Sequence, residues 1–208
     1  MGKVLFIQRI IIEYLGTGLL AATLEKGGHS SEVMFVTGAR APKQKILESN
    51  PDLIAFSCTT GLSNWAVELG RDIKKFADIP IAMGGHHATV HPETVLEEPI
   101  DFLCRGYGEK SIVMLMDSLE RGEDVSSTPN FVFEKNGRMV MNDLLPLEDV
   151  DSLPLVNRDV YYTASRVLRT HASKPFMAGR VTCRFSCHYC QNAFKRKLYG
   201  NPPNYMQL

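Results

Sequence analysis

The sequence has no excess of either charge: 23 lysines and arginines face 23 aspartates and glutamates over 208 residues. Without a net field nothing favours nucleic acid, an anionic membrane or a polyanionic substrate globally, so partners must be argued from local sites. No apolar run reaches the roughly 20 residues needed to span a bilayer, because Glu13 and Glu25 break the most apolar stretch. No membrane span is expected. The opening Met1 to Ile7 lacks a signal peptide's small-residue cleavage site and runs straight into Gln8-Arg9, so it reads as a first strand. No Gly-x-Gly-x-x-Gly follows that strand and no Gly-x-x-x-x-Gly-Lys-Ser/Thr occurs, which removes the main support for dinucleotide and P-loop sites. Cysteine is scarce. Its five copies fall as two isolated residues, Cys58 and Cys104, and one tight group, Cys183, Cys187 and Cys190. An odd count in that layout is not a secreted disulfide framework and fits a reducing cytoplasm. Internal repeats and low-complexity tracts are absent.

What is present is a 44% hydrophobic share, enough for one well-buried core plus an appendage. Five short apolar runs recur: Lys3 to Gln8, Ser31 to Val36, Leu53 to Cys58, Ile79 to Met83 and Asp101 to Cys104. Helical patterns separate them. Trp65, Leu69, Ile73 and Phe76 form one stripe and Ile112, Leu115, Met116 and Leu119 another, while Gly27-Gly28 supplies a helix stop. The alternation predicts an α/β fold with a parallel five-stranded sheet, Rossmann-like or flavodoxin-like. Phe131 to Phe133 and Met139 to Met141 flank Asn136-Gly137, the signal of a β hairpin closing the domain. The boundaries read as a domain over 1–142, an extended linker over 143–172 with Pro146 and Pro154, and a new unit over 173–208. In such sheets ligands bind in the crevice beyond the strand C-termini, so the loops Gln8 to Gly16, Ser57 to Ser63, Gly84 to His91 and Arg105 to Glu109 are where a site is expected.

Cys183-Arg-Phe-Ser-Cys187-His-Tyr-Cys190 lets one loop turn three thiolates toward one centre. A four-iron cubane normally takes four cysteines, so three would leave one iron open. Zinc is an alternative, with His188 or His171 as the fourth ligand, although no second cysteine knuckle is present. Plain buried thiols are a third reading. The motif resembles the signature of the radical S-adenosylmethionine (SAM) superfamily. That resemblance implies a [4Fe-4S] cluster on Cys183, Cys187 and Cys190, whose open iron chelates SAM and whose electron cleaves it to a 5′-deoxyadenosyl radical. It also implies Tyr189 near the adenine, a strand over Pro175 to Ala178 opening a partial β/α barrel, and an electron donor such as flavodoxin or ferredoxin.

Three loop segments, Ser57-Cys-Thr59-Thr60-Gly61, Gly84-Gly85-His86-His87-Ala88-Thr89 and Arg105-Gly106-Tyr107-Gly108-Glu109, together resemble the cobalamin-binding domains that precede many radical SAM domains. Glycines there let a bulky ligand approach the backbone, and hydroxyls offer hydrogen bonds. The resemblance implies Ser57, Thr59, Thr60, Gly84, Gly85, His86, Gly106, Gly108 and Glu109 as cofactor-binding residues. Read locally, the same glycines can simply make turns, Ser57 and Thr59 can satisfy nearby backbone groups, and Glu109 suits a first helical turn. His91 before Pro92 reads as a helix start, Cys58 and Cys104 as inert core thiols, and Trp65 as a packing residue. Lys195-Arg196-Lys197 reads as a solvated helix face.

Methyltransferase and mutase members of the cobalamin group carry Asp-x-His-x-x-Gly after strand one. Aligned on Gly16, this chain has Ile11 and Glu13 in those places. No histidine ligand from this loop is expected, and the lower face would be open or covered by Arg9, Ile10 or Tyr14. Taken whole, the resemblance implies the front of a cobalamin-dependent-type radical SAM enzyme, the second domain incomplete here. It would modify a small-molecule substrate, by methylation at carbon or by another radical route such as cyclisation. Two further readings are a non-catalytic cobalamin-binding or sensor module with a zinc loop, and a protein-docking scaffold with an empty crevice.

Overall fold

The computed structural model describes residues 1–97, 99–170, 185 and 187–200. Strand β1 (Lys3–Gln8) is followed by helix α1 (Leu15–Lys26), β2 (Ser30–Phe35), α2 (Lys43–Ser49), β3 (Leu53–Ser57) and α3 (Thr60–Lys74). Then come β4 (Ile81–Gly84), α4 (Gly85–Val90), β5 (Phe102–Cys104) and α5 (Glu109–Arg121). The five expected strands are therefore present, each within two residues of its expected ends. They pair in the order β2-β1-β3-β4-β5, all parallel. In this winding the chain leaves β1 toward one sheet edge and returns at β3 to build the other, so a crevice opens where the direction reverses.

Alternate residues feed two separate cores, as a parallel sheet covered on both faces requires. Leu5, Ile7, Ile54, Phe56, Ile81 and Met83 point to the face of α3, where they meet Ala66, Leu69 and Ile73. Val4, Phe6, Leu53, Ala55 and Ala82 point to the opposite face, against Leu24 of α1 and Ile112, Leu115 and Met116 of α5. Trp65 packs at the rim of the first core, edge-on to Phe56 at 5.8 Å. Gly27 caps α1 and Gly122, at φ +64°, closes α5. The left-handed conformation of Gly122 is one that costs a side-chain-bearing residue more.

The hairpin forms at the expected turn, from β6 (Phe131–Lys135) and β7 (Arg138–Met141). Asn136 and Gly137 both have positive φ, 56° and 74°, as a type I′ turn demands. It does more than close the domain. Strand β6 adds antiparallel to β5 through Leu103–Val132 and Cys104–Phe131, so the sheet has seven strands and not five. The physical reason is the edge: β5 is three residues long, and without β6 its outer backbone groups would be unpaired.

The stretch expected as an extended linker departs most from its reading. It contains a 3-10 turn at Val150–Ser152 and two short helices, α6 (Asp159–Ala164) and α7 (Arg166–Thr170). Tyr161 of α6 is fully buried in the second core, 6.3 Å from Phe35 between ring centroids. The chain reaches it by crossing α1 at Gly18, whose carbonyl accepts from the Asn157 N–H at 3.0 Å. A Cβ on Gly18 would lie 2.6 Å from Val156 and 3.0 Å from the Asn157 carbonyl. Gly18→Ala is accordingly expected to cost about 1–3 kcal/mol by overpacking, measurable as a lowered denaturation midpoint, whereas an unchanged midpoint would show that the crossing is loose. No helix among the described residues is long and apolar enough to cross a membrane.

Candidate functional site

The loops beyond β1, β3, β4 and β5 enclose a cavity of about 440 Å³ at the point where the winding reverses. Its floor and walls are apolar, from Phe6, Leu19, Leu20, Ala55, Met83, Ile112 and Phe131. Polar residues share the lining: Tyr14, Thr17, Ser57, Thr59, His86, Tyr107, Glu109 and Lys195. Of the residues anticipated from sequence, Ser57, Thr59, Gly84, Gly85, His86, Gly106, Gly108 and Glu109 line this cavity. Thr60 does not. It is the first residue of α3, with its hydroxyl 3.4 Å from Nδ1 of His87.

The glycines hold the rim close. Gly85 has φ +90°, and a Cβ there would stand 2.9 Å from both the amide nitrogen and the carbonyl oxygen of Cys58. Cys58 N–H donates to the Gly84 carbonyl and His87 N–H to the Cys58 carbonyl, each at 2.9 Å, so the ends of β3 and β4 interlock. Thr89 extends the linkage to β5. Its hydroxyl donates to the Gly85 carbonyl at 2.8 Å and accepts from the Gly106 N–H at 3.0 Å. A Cβ at Gly108 would sit 2.9 Å from the Cys104 sulfur.

The surroundings of two titratable groups in the lining favour their neutral forms. Burial, and after it the charge of Lys195, lowers the pKa of His86. Burial raises that of Tyr14. The thiols of Cys58 and Cys104 are pushed up to about 12 by burial, with Glu109 adding to the effect on Cys104. From an ordinary value of 9.0, that leaves about a thousandth of the usual thiolate at mildly alkaline pH. Both should therefore resist iodoacetamide in the folded protein at pH 8 and react on unfolding; rapid native alkylation would contradict their assignment as inert. His87 is structural, held between Thr60 and Thr94 (3.0 Å), and His91 stacks on it while meeting Glu93 at 3.0 Å.

The β1–α1 loop was expected to carry no cobalt ligand. Glu13, at the motif's histidine place, is largely buried and paired with Nε of Arg158 at 3.5 Å, and Ile11 is exposed; neither lines the cavity. Tyr14 does line it, whereas Arg9 and Ile10 are exposed. Tyr14 is placed from far along the chain: the Tyr161 hydroxyl donates to its carbonyl at 2.8 Å and accepts from Nε2 of Gln8 at 3.1 Å. Gly16 and Thr17 line the cavity too. Gly16 ends the first of the loops where a site was expected; Thr17, between Gly16 and Gly18 in the first turn of α1, was passed over.

These features, a crevice at the reversal of a five-stranded parallel order with glycine-lined strand ends, agree with a family comparison. The model of the B12 binding domain matches residues 11–115, half of the chain. The chain belongs to the B12-binding family. A curated relative, an uncharacterized methyltransferase of Pyrococcus horikoshii, is 27% identical over 161 residues, covering 72% of this chain and 33% of its own. The chain thus spans about a third of that relative's length. Among solved structures it resembles TsrM of Kitasatospora setae, a radical SAM methyltransferase determined with tryptophan substrate and a SAM analog. The TM-score is 0.61 at 18% identity, over 78% of this chain and 37% of that one. It also resembles the cobalamin-dependent SAM radical enzyme OxsB, with aqua-cobalamin and SAM bound, at TM-score 0.66 and 17% identity over 80% and 25% of the two chains. At these identities the structures share the fold.

The lining of the B12-binding domain fits its cofactor chemically. Corrinoids combine apolar faces with amide-bearing arms and a nucleotide tail. The cavity pairs apolar walls with hydroxyls from Thr17, Ser57 and Thr59 and with bare backbone at Gly84-Gly85.

Of the cysteine motif, residues 185 and 187–190 are described. Cys187 and Cys190 are half-buried, and the Cys190 N–H donates to the Cys187 carbonyl at 3.0 Å, a tight turn. Cys183 and the strand expected at Pro175 to Ala178 lie outside the described residues. Among those described, no three His, Cys, Asp or Glu side chains are placed to hold a metal. Tyr189 is 93% exposed and does not line the cavity. Helix α8 (Gln191–Leu198) follows directly, capped by Cys190. It is not merely a solvated basic face as expected, because Lys195 lines the cavity with its ammonium 4.6 Å over the Tyr107 ring.

Proposed function

We propose that the chain is the cobalamin-handling front of a radical SAM enzyme, with residues 1–142 as the cofactor domain and 173–208 as the opening of the SAM-cleaving domain. The intact enzyme would cleave SAM reductively at a [4Fe-4S] cluster on Cys183, Cys187 and Cys190. It would use that chemistry for methylation at carbon, or another radical modification, of a small molecule, with electrons from a flavodoxin or ferredoxin. Membership of the B12-binding family supports the cofactor, and the Pyrococcus relative supports methyl transfer. The observation that carries the reading is that the helix that follows Cys190 has Lys195 in the lining of the B12-family cavity, so the segment after the cysteines reaches the cofactor site.

Bound cobalamin would supply a cobalt centre able to carry a methyl group. The chain's own residues bind and orient it. Gly85 lets the ends of β3 and β4 close on each other and Gly106 admits Tyr199; Ser57, Thr59 and Thr17 offer hydroxyls, and the apolar part of the lining excludes water. A cavity of about 440 Å³ would hold the nucleotide tail of a cobalamin.

The protein, purified anaerobically and reconstituted, is expected to hold about four irons with matching sulfide and the visible absorption of a cubane. Cys187→Ser should abolish most of that iron. A colourless protein carrying zinc would end the radical reading in favour of a sensor-type module, and failure to take up hydroxocobalamin would remove the methyl-carrier role.

A further inference from the structure

The wall of the cavity supplied by α8 was assigned no role by any sequence motif, yet it is firmly attached. The Tyr107 N–H donates to the Tyr199 hydroxyl at 3.0 Å, and Nε2 of Gln191 donates to the His86 carbonyl at 3.3 Å. Gly106, at φ +71°, makes room: a Cβ there would lie 1.9 Å from the Tyr199 hydroxyl oxygen. Held in this way, α8 presents Lys195 to the rim. Among the described residues lining the cavity it is the one lysine, and no arginine accompanies it. The Tyr107 ring fixes the ammonium from below, an arrangement that favours a cation. The carboxylate in the same lining, Glu109, sits in the first turn of α5, a place where the helix dipole favours an anion.

A cation at the rim of a cavity that receives a cobalamin tail faces a ligand with one anionic group on its tail, the phosphodiester linking ring arm and ribose. We propose that Lys195 is a cofactor-binding residue of this site and takes that phosphodiester, so that the segment following the cysteine triplet completes the cobalamin pocket. The inference rests on the cobalamin reading above and adds a residue that the B12-binding match, ending at residue 115, does not reach.

The test compares two probes, hydroxocobalamin and diaquocobinamide, which lacks the phosphate, ribose and base, by equilibrium titration on the intact protein. Wild type should prefer hydroxocobalamin. Lys195→Met should weaken hydroxocobalamin by about tenfold to a hundredfold, the scale of one charge-assisted hydrogen bond, and leave cobinamide within about twofold. Lys195→Arg should retain most of the preference, which also guards against misfolding of the methionine variant. Equal losses for both probes, or no loss for either, would overturn the assignment. Absence of hydroxocobalamin binding by wild type would overturn the cofactor reading together with it.

Discussion

Tyr161→Ala is expected to lower the unfolding free energy by about 3–5 kcal/mol, the cost of deleting a fully enclosed aromatic side chain. The residue belongs to a stretch whose sequence reads as linker, yet its ring is wholly inaccessible, packed with Val4, Phe6, Leu24 and Val33 in the second core and near Phe35. Its hydroxyl carries a separate share. It donates to the Tyr14 carbonyl and accepts from Gln8, and burial raises its pKa to about 12, so it stays a protonated donor throughout the working range. Tyr161→Phe removes only that part and should cost about 1–2 kcal/mol. The pair of variants divides packing from hydrogen bonding. Urea unfolding measures both, and an alanine variant within about 1 kcal/mol of wild type would show that α6 is an appendage instead of part of the core. The phenylalanine variant also frees Tyr14 at the cavity, so cobalamin affinity should fall in it more than stability alone requires.

Tyr161 also marks where sequence reasoning stops. Strands β1 to β5 were legible because a parallel sheet buried on both faces writes continuous apolar runs, and α3 and α5 because one wet face leaves a 3.6-residue stripe. Asn136-Gly137 announced its turn because few other pairs accept two positive φ values. The loops after β3, β4 and β5 were legible from chain order, since the winding brings strand C-termini together, whereas the individual residues in them came from the family resemblance. What failed depends on distant partners. Nothing local in Asp159 to Ala164 says that one tyrosine will enter a core built from β1, β2 and α1, and nothing in Gly18 says that Val156 will lie against it. Lys195 is the same case: a basic turn is usually solvated, and only the docking of α8 on Tyr107 turns it inward. Strand β6 pairs with β5 because of an edge that the hairpin's own residues do not record.

The largest effect on ligand binding is expected from the least conspicuous change, Gly85→Ala. The φ of +90° is one that an L residue adopts only at a cost of about 1–2 kcal/mol. The added methyl meets backbone, not a side chain that could swing away: Cys58 nitrogen and oxygen, both 2.9 Å distant. Relief requires the ends of β3 and β4 to part, breaking the bonds Cys58 N–H to Gly84 and His87 N–H to Cys58. Those segments carry Ser57, Thr59 and His86 into the cavity, so the rim is displaced whichever strand yields. Hydroxocobalamin affinity should fall by about a hundredfold or more, the equivalent of the roughly 3 kcal/mol that strain and overpacking together impose. Gly61→Ala supplies the control. It changes a helical glycine with nothing within 4 Å of the new carbon, so it should leave binding unaltered and raise stability by about 0.5–1 kcal/mol. If Gly85→Ala bound cobalamin as wild type does, the ligand would not approach through this junction, and the cavity at the strand ends would not be the cofactor's seat.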